Sequence, residues 1–166
     1  PRAFSTSWAA SESMHRAARR ADNAFFARAA FSIVAGMSVH ATPASPAFLA
    51  DAIAALGTLL GNRLSTGQAI REQHGTDISH LPPAAPDAVA FAQSTQDVVE
   101  IVKICARYGV PIIPFGTGTS LEGHITAPLG GISLDVSQMN RVLAVNIADL
   151  DAVVQPGVTR KTLNTY

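Results

Sequence analysis

The stretch Val110-Pro111-Ile112-Ile113-Pro114-Phe115-Gly116-Thr117-Gly118-Thr119-Ser120-Leu121-Glu122-Gly123 decides the predicted fold. Up to Phe115 it is apolar and β-branched, which is typical of a strand buried on both faces of a parallel sheet. The rest is a glycine-rich loop. In open α/β sheets, ligands bind in the loops that leave the carboxyl ends of parallel strands. The junction at Gly116 is therefore the candidate binding site.

A strand and a helix precede this stretch. The apolar run Ala88–Phe91 predicts a strand. Ser94 and Asp97 predict a capping box at the start of a helix, and Gly109 predicts its end. The apolar face of that helix consists of Val98, Ile101, Val102 and Cys105. Strand, helix and strand between residues 88 and 115 predict a small βαβ unit.

Three more strands are predicted after the loop, at residues 131–136, 142–146 and 152–155. Pro156-Gly157-Val158 then turns the chain, and a helix is predicted from Thr159. Because Gly157 has no side chain, this turn is a second place where the backbone can approach a ligand closely.

Further helices are predicted before the βαβ unit. Ser45-Pro46 predicts the start of the first, and Gly61 predicts its end. Its apolar residues recur at helical spacing: Leu49, Ile53, Leu56 and Leu60. The second is predicted from Ser65 to about residue 73, with Gln68 as the partner in a capping box.

The proline-rich residues 74–86 predict a linker. His74, Asp77 and His80 lie in it, but their spacing matches no known metal motif. We therefore predict no metal site.

The N-terminal region has a composition of its own. Residues 1–48 contain five arginines and two acidic residues, many alanines and serines, and no lysine. This composition is typical of an organellar targeting peptide, so we predict that residues 1–45 direct the protein to mitochondria. A disordered tail is the alternative. The uncharged run at residues 29–39 is shorter than the roughly 20 residues that span a bilayer, which disfavours membrane insertion.

Charge and cysteine content exclude other classes. The 166 residues carry a formal net charge of zero, so nucleic acid is not an expected partner. Cys105 is the one cysteine, which excludes an intrachain disulfide and favours a reducing compartment. We expect Cys105 to be a buried hydrophobic side chain rather than a nucleophile.

The loop has the composition of an anion site. Glycines at 116 and 118 allow backbone conformations closed to other residues, so successive N–H groups can converge on an anion. Hydroxyl donors are added by Thr117, Thr119 and Ser120. The Rossmann fingerprint fails because Leu121 occupies its third glycine position, and the Walker A pattern fails because His124 replaces its lysine.

Five blocks in this order match a known family: Pro86-Asp87-Ala88-Val89, Ser94-Thr95-Gln96-Asp97-Val98, the stretch at 110–123, Leu134-Asp135 with Met139-Asn140-Arg141-Val142, and Val154-Gln155-Pro156-Gly157-Val158-Thr159. The sequence resembles the PCMH-type FAD-binding domain of the vanillyl-alcohol-oxidase superfamily. The resemblance implies an α+β fold, with an incomplete FAD-binding domain at residues 84–166. That domain would contain a small βαβ subdomain and the start of a second, mainly antiparallel β subdomain. Residues 46–83 would be a helical lead-in and linker.

The same resemblance implies the cofactor and its site. The N–H groups of residues 116–120 would hold the FAD diphosphate, and the turn at Gly157 would lie along the ribityl chain and flavin. The implied cofactor-binding residues are Pro114, Phe115, Gly116, Thr117, Gly118, Thr119, Ser120, Leu121, Pro156, Gly157 and Val158. Some relatives attach the flavin to a histidine where this sequence has Thr119, so noncovalent FAD is expected.

The narrower resemblance is to mitochondrial, cytochrome-type D-lactate dehydrogenases, supported by Arg71-Glu72-Gln73-His74-Gly75 and by Pro156-Gly157-Val158-Thr159-Arg160-Lys161. It implies a small 2-hydroxy-acid substrate and cytochrome c as partner. Catalytic residues would come from later chain, so none is assigned, and this chain alone is expected to be inactive. The alternatives are dehydrogenases of glycolate or 2-hydroxyglutarate, an alkylglycerone-phosphate synthase relative, or a truncated, noncatalytic product.

Overall fold

A computed structural model of the chain describes residues 44–119 and 121–166. The predicted targeting segment lies outside the described residues, except for its last two positions. The uncharged run at 29–39 and Ser120 also lie outside them. No helix of the described part is long and apolar enough to cross a membrane.

Helices and strands alternate in the first half of the described part, and four consecutive strands precede the last helix. The helices are α1 (Pro46–Leu60), α2 (Gln68–His74), α3 (Thr95–Tyr108) and α4 (Arg160–Thr165), and a 3-10 turn at Gly61–Arg63 follows α1. The strands are β1 (Leu64–Ser65), β2 (Ala88–Phe91), β3 (Ile112–Phe115), β4 (Ile132–Asp135), β5 (Val142–Asn146) and β6 (Asp151–Val154). The predicted α+β fold is confirmed.

The strands form two sheets. In the first, the order is β1-β2-β4-β3, with β1 antiparallel to β2 and the other pairs parallel. The second is the antiparallel hairpin of β5 and β6. The predicted βαβ unit is present, but its two strands are not neighbours, because β4 lies between them. Strand β4 has a neighbour on each side, and all four of its residues are buried.

The prediction that residues 110–115 are buried on both faces is wrong. The strand is shorter, Ile112–Phe115, and lies at the edge of the sheet with Pro114 exposed. Proline has no N–H to donate to a neighbouring strand, so it is confined to edges and bulges. The apolar composition of residues 110–115 predicts burial and does not reflect the edge position that Pro114 requires.

The second helix also begins later than predicted. Ser65 belongs to β1 and pairs with Val89, which covers the other edge of β2. The residue before α2 is Gly67, and no side chain caps the helix. Local capping chemistry favoured a start at Ser65, but strand pairing with β2 provides backbone hydrogen bonds that the local sequence does not reveal.

Helix α3 follows the prediction. The Ser94 hydroxyl accepts the Asp97 N–H at 3.1 Å, the Asp97 carboxylate accepts the Ser94 N–H at 3.1 Å, and Gly109 ends the helix with a φ of 63°. Its apolar face contributes Ile101 and Cys105 to the core shared with α1. Burial raises the pKa of Cys105 to about 12, so the thiol is unreactive.

Candidate functional site

The loop after β3 and the turn after β6 face each other across one cavity. Its volume is about 480 Å³, within the usual range for ligand clefts. The cavity is lined by Gly116, Thr117, Thr119, Ser137, Pro156, Gly157, Val158, Thr159, Arg160 and Lys161. The structure therefore brings together the two backbone segments that sequence analysis selected from separate parts of the chain.

The two glycines of the loop differ in role. Gly118 has a φ of +66°, in the region that favours glycine, and a Cβ there would lie 2.9 Å from Cζ of Phe115. Gly116 is outside that region, so the prediction of an unusual backbone conformation there is wrong. A Cβ on Gly116 would meet no protein atom within 4 Å. Gly116 thus leaves open space at the cavity wall.

The loop carries backbone N–H groups that the described part of the chain does not engage. None of the described residues accepts a hydrogen bond from the backbone N–H groups of residues 116–119. The hydroxyls of Thr117 and Thr119 lie 3.0 Å apart and bond to each other. Unpaired N–H groups on a glycine-rich loop form the kind of concavity that binds phosphate.

The opposite wall depends on Gly157. Its N–H donates to the carbonyl of Met139 at 2.8 Å. A Cβ on Gly157 would lie 2.5 Å from the carbonyl oxygen of Val136 and 2.7 Å from that of Ser137. The close approach expected at this glycine is therefore made to the backbone of residues 136–139.

Two cations complete the cavity, and sequence analysis did not assign them to the site. Arg160 and Lys161 open α4, and both line the cavity. No carboxylate lines it among the described residues. Positive side chains and free N–H groups suit an anion with two negative charges, so the wall fits the diphosphate of FAD. The tandem Arg160-Lys161 just after a glycine turn was the available signal.

Four predicted site residues in the described part lie away from the cavity lining, and Gly118 is one of them. Pro114 is exposed on β3, Phe115 is buried under the loop, and Leu121 is 62% exposed. Pro156 and Val158 do line the cavity. The titratable groups on the described cavity wall are the two cations, so this wall suits an anion and offers no general base.

Known proteins are similar to this chain in sequence and in fold. The profile of the FAD binding domain family matches residues 86–166. A probable mitochondrial D-lactate dehydrogenase of Danio rerio is 48% identical over 103 residues, which is 62% of this chain and 21% of that protein. The mitochondrial D-lactate dehydrogenase [cytochrome] of Arabidopsis thaliana is 41% identical over 118 residues, 70% of this chain and 21% of that protein.

A solved structure has a similar fold. The 4-ethylphenol oxidase of Gulosibacter chungangensis, in complex with isoeugenol, superposes with a TM-score of 0.66 at 32% identity, over 74% of this chain and 25% of that one. This chain spans about a fifth of the length of the two D-lactate dehydrogenases that it matches. From residue 86 onward, the chain is therefore an FAD-binding domain of the PCMH type in the vanillyl-alcohol-oxidase superfamily, and FAD is its cofactor.

Proposed function

We propose that the chain is the N-terminal, FAD-binding part of a D-2-hydroxy-acid dehydrogenase that oxidises D-lactate to pyruvate and passes the electrons to cytochrome c. The observation that carries this proposal is the cavity between Gly116 and Gly157, in a domain whose relatives are named D-lactate dehydrogenases. Those names also support a mitochondrial location, with residues 1–45 as the import signal.

Each wall of the cavity has a proposed task. The N–H groups of residues 116–120 hold the diphosphate, and Arg160 and Lys161 neutralise its charge. Residues 156–158 lie along the ribityl chain and flavin. When bound, FAD supplies the redox chemistry by accepting a hydride from C2 of the hydroxy acid. Binding is noncovalent, because Thr119 offers no nucleophilic nitrogen in this loop.

The described residues bind FAD without performing the oxidation. A 2-hydroxy acid must lose its hydroxyl proton as hydride leaves C2, and this needs a positioned base. Among the described residues, the cavity wall supplies cations and hydroxyls only. We therefore propose that residues 44–166 alone do not turn over substrate.

Anaerobic flavin reduction tests the proposed function. The natural protein, expressed from its complete gene, is purified with FAD and mixed with D-lactate while the absorbance of oxidised flavin is followed. We expect bleaching by D-lactate, none by L-lactate, and electron transfer to added ferricytochrome c. Bleaching by glycolate or 2-hydroxyglutarate but not by D-lactate would replace the proposed substrate. No bleaching by any of them would leave FAD binding as the only activity.

Removing the two cations should weaken FAD binding. In the double variant Arg160→Gln/Lys161→Gln of the natural protein, we expect the Kd for FAD to rise about tenfold at low salt, because two charge-assisted contacts are lost. The difference from the unsubstituted protein should shrink at high salt, since these side chains are exposed and screened. Titration of the apoprotein with FAD at two salt concentrations measures both effects.

The matched control removes an exposed arginine away from the cavity. Arg107→Gln, in the last turn of α3, should leave both the Kd and its salt dependence unchanged. Because the control removes one positive charge and the double variant two, a rise in Kd of about threefold in the control against about tenfold in the double variant would show that net charge, rather than contact, is responsible.

A further inference from the structure

A buried polar pair lies at the carboxyl edge of the first sheet, and the proposed function gives it no task. His74 is the last residue of α2 and is 4% exposed, and Asp135 is the last residue of β4 and is 3% exposed. Nε2 of His74 lies 3.0 Å from Oδ2 of Asp135. The proline-rich composition predicts a linker from residue 74, whereas His74 is the buried end of a helix.

The hydrogen bonds of the pair engage both ring nitrogens of His74 and both carboxylate oxygens of Asp135. Nδ1 of His74 lies 2.8 Å from the carbonyl oxygen of Ile70, which can only accept a hydrogen bond. Burial alone would raise the pKa of Asp135, but the hydrogen bonds from His74 and Ser137 outweigh it and hold that pKa below its ordinary value. Each ring nitrogen of His74 therefore has a hydrogen-bond partner, the Ile70 carbonyl on one side and the Asp135 carboxylate on the other.

The imidazole ring of His74 contacts the ends of the strands on both sides of β4. Phe91, Asp135 and Phe115 are the last residues of their strands and are direct neighbours in the sheet. The ring centroid of His74 lies 4.0 Å from that of Phe115 and 5.9 Å from that of Phe91. Gly118 in turn lies over the Phe115 ring, since a Cβ built on Gly118 would come within 2.9 Å of Cζ of Phe115. His74 therefore supports the glycine-rich loop through one aromatic side chain.

Asp135 reaches the other wall of the cavity. Its Oδ1 accepts the N–H of Ser137 at 2.7 Å, which fixes the turn after β4. Ser137 lines the cavity, and its carbonyl is one of the backbone groups against which Gly157 packs. The chain of contacts therefore runs from the loop through Phe115, His74, Asp135 and Ser137 to the Gly157 turn.

Stability alone does not account for this pair. Replacing a buried ion pair by apolar side chains is often neutral or stabilising, because desolvation offsets the attraction between the charges. An apolar pair would not, however, hold the Ser137 N–H or fix the orientation of an aromatic ring by hydrogen bonding. What the polar pair adds is a defined geometry on both sides of the cavity.

We infer that His74 and Asp135 are positioning residues for the FAD diphosphate site, where they hold the glycine-rich loop and the Gly157 turn at the separation that the cofactor requires. The inference rests on the proposed placement of the diphosphate between these two walls. It does not depend on which hydroxy acid is oxidised.

Three variants of the natural protein test it, with the Kd for FAD measured by titrating the apoprotein. Asp135→Ala removes the bonds to both His74 and Ser137, and we expect the Kd to rise at least tenfold. In Asp135→Asn, the amide oxygen can still accept the Ser137 N–H and the amide nitrogen can donate to Nε2 of His74. This variant should therefore regain most of the FAD affinity that Asp135→Ala loses. His74→Gln keeps a donor for Asp135 but removes the ring from Phe115, and its Kd should rise at least fivefold.

Ile101→Ala separates positioning from general destabilisation. Ile101 is fully buried in the core and does not line the cavity, so its loss should lower the melting temperature without changing the Kd measured on folded protein. A Kd of Asp135→Ala within threefold of the unsubstituted protein would overturn the inference. An equal loss of affinity in Ile101→Ala would do the same.

Two further outcomes are decisive. If Asp135→Ala does not fold, His74→Gln decides, and an unchanged Kd in that variant contradicts the inference. If the unsubstituted protein binds FAD but D-lactate does not reduce it, the proposed substrate is wrong, while the Kd values still test the positioning role.

Discussion

Gly157→Ala is expected to destabilise the natural protein and to abolish tight FAD binding. The added Cβ would lie 2.5 Å from the carbonyl oxygen of Val136, 2.7 Å from that of Ser137 and 2.9 Å from that of Met139. All three are backbone atoms, which cannot move aside as a flexible side chain can. The turn must shift away from residues 136–139, which breaks the hydrogen bond from Gly157 to Met139 and opens one wall of the cavity.

The expected cost is about 1–3 kcal/mol or more in the free energy of unfolding, together with a rise of at least a hundredfold in the Kd for FAD. Urea unfolding of the apoprotein and FAD titration measure the two effects. Gly57→Ala is the matched control, because a Cβ on this residue of α1 would make only an ordinary contact, 3.8 Å from Leu64. Alanine favours a helix over glycine by about 1 kcal/mol, so the control should be at least as stable as the unsubstituted protein. A Gly157→Ala variant with normal stability and affinity would mean that this turn is not a wall of the site.

Gly118→Val should lose FAD. Valine is β-branched and strongly disfavours the φ of +66° that Gly118 adopts, and its Cβ would lie 2.9 Å from the ring of Phe115. The loop must refold locally, so its N–H groups no longer converge on the diphosphate. We expect the purified variant to be colourless, with at least a hundredfold rise in Kd by titration.

Gly116→Ala separates ligand contact from loop strain. A Cβ at Gly116 meets no protein atom within 4 Å and its backbone is not left-handed, so the apoprotein should melt at the same temperature as the unsubstituted protein. Because Gly116 lines the cavity, FAD should nevertheless bind about tenfold more weakly if its diphosphate packs on this residue. Unchanged FAD affinity in both Gly118→Val and Gly116→Ala would place the cofactor elsewhere.

Features that depend on neighbouring residues were readable from the sequence. Ser94, Asp97 and Gly109 act within a few residues of themselves, and the helix between them has the predicted capping box and left-handed end. The positive φ of Gly118 is equally local. These local properties and the family resemblance together predict the loop and the Gly157 turn as the site, and both segments line the cavity.

Features that depend on distant residues were not readable. The edge position of β3 follows from the insertion of β4 between β2 and β3, and helix α2 starts late because Ser65 pairs with Val89. His74 looked like a linker residue, since its partner Asp135 is far along the chain. In each case, tertiary contacts decided the outcome and local propensity did not.

A crystal structure of the natural protein with FAD tests the central claim most directly, through the distances between the diphosphate oxygens and the backbone nitrogens of residues 116–120. The account predicts at least two such distances of about 3.2 Å or less, with residues 156–158 on the opposite side of the cofactor. A diphosphate bound elsewhere, or N–H groups of this loop turned away from it, would contradict the account.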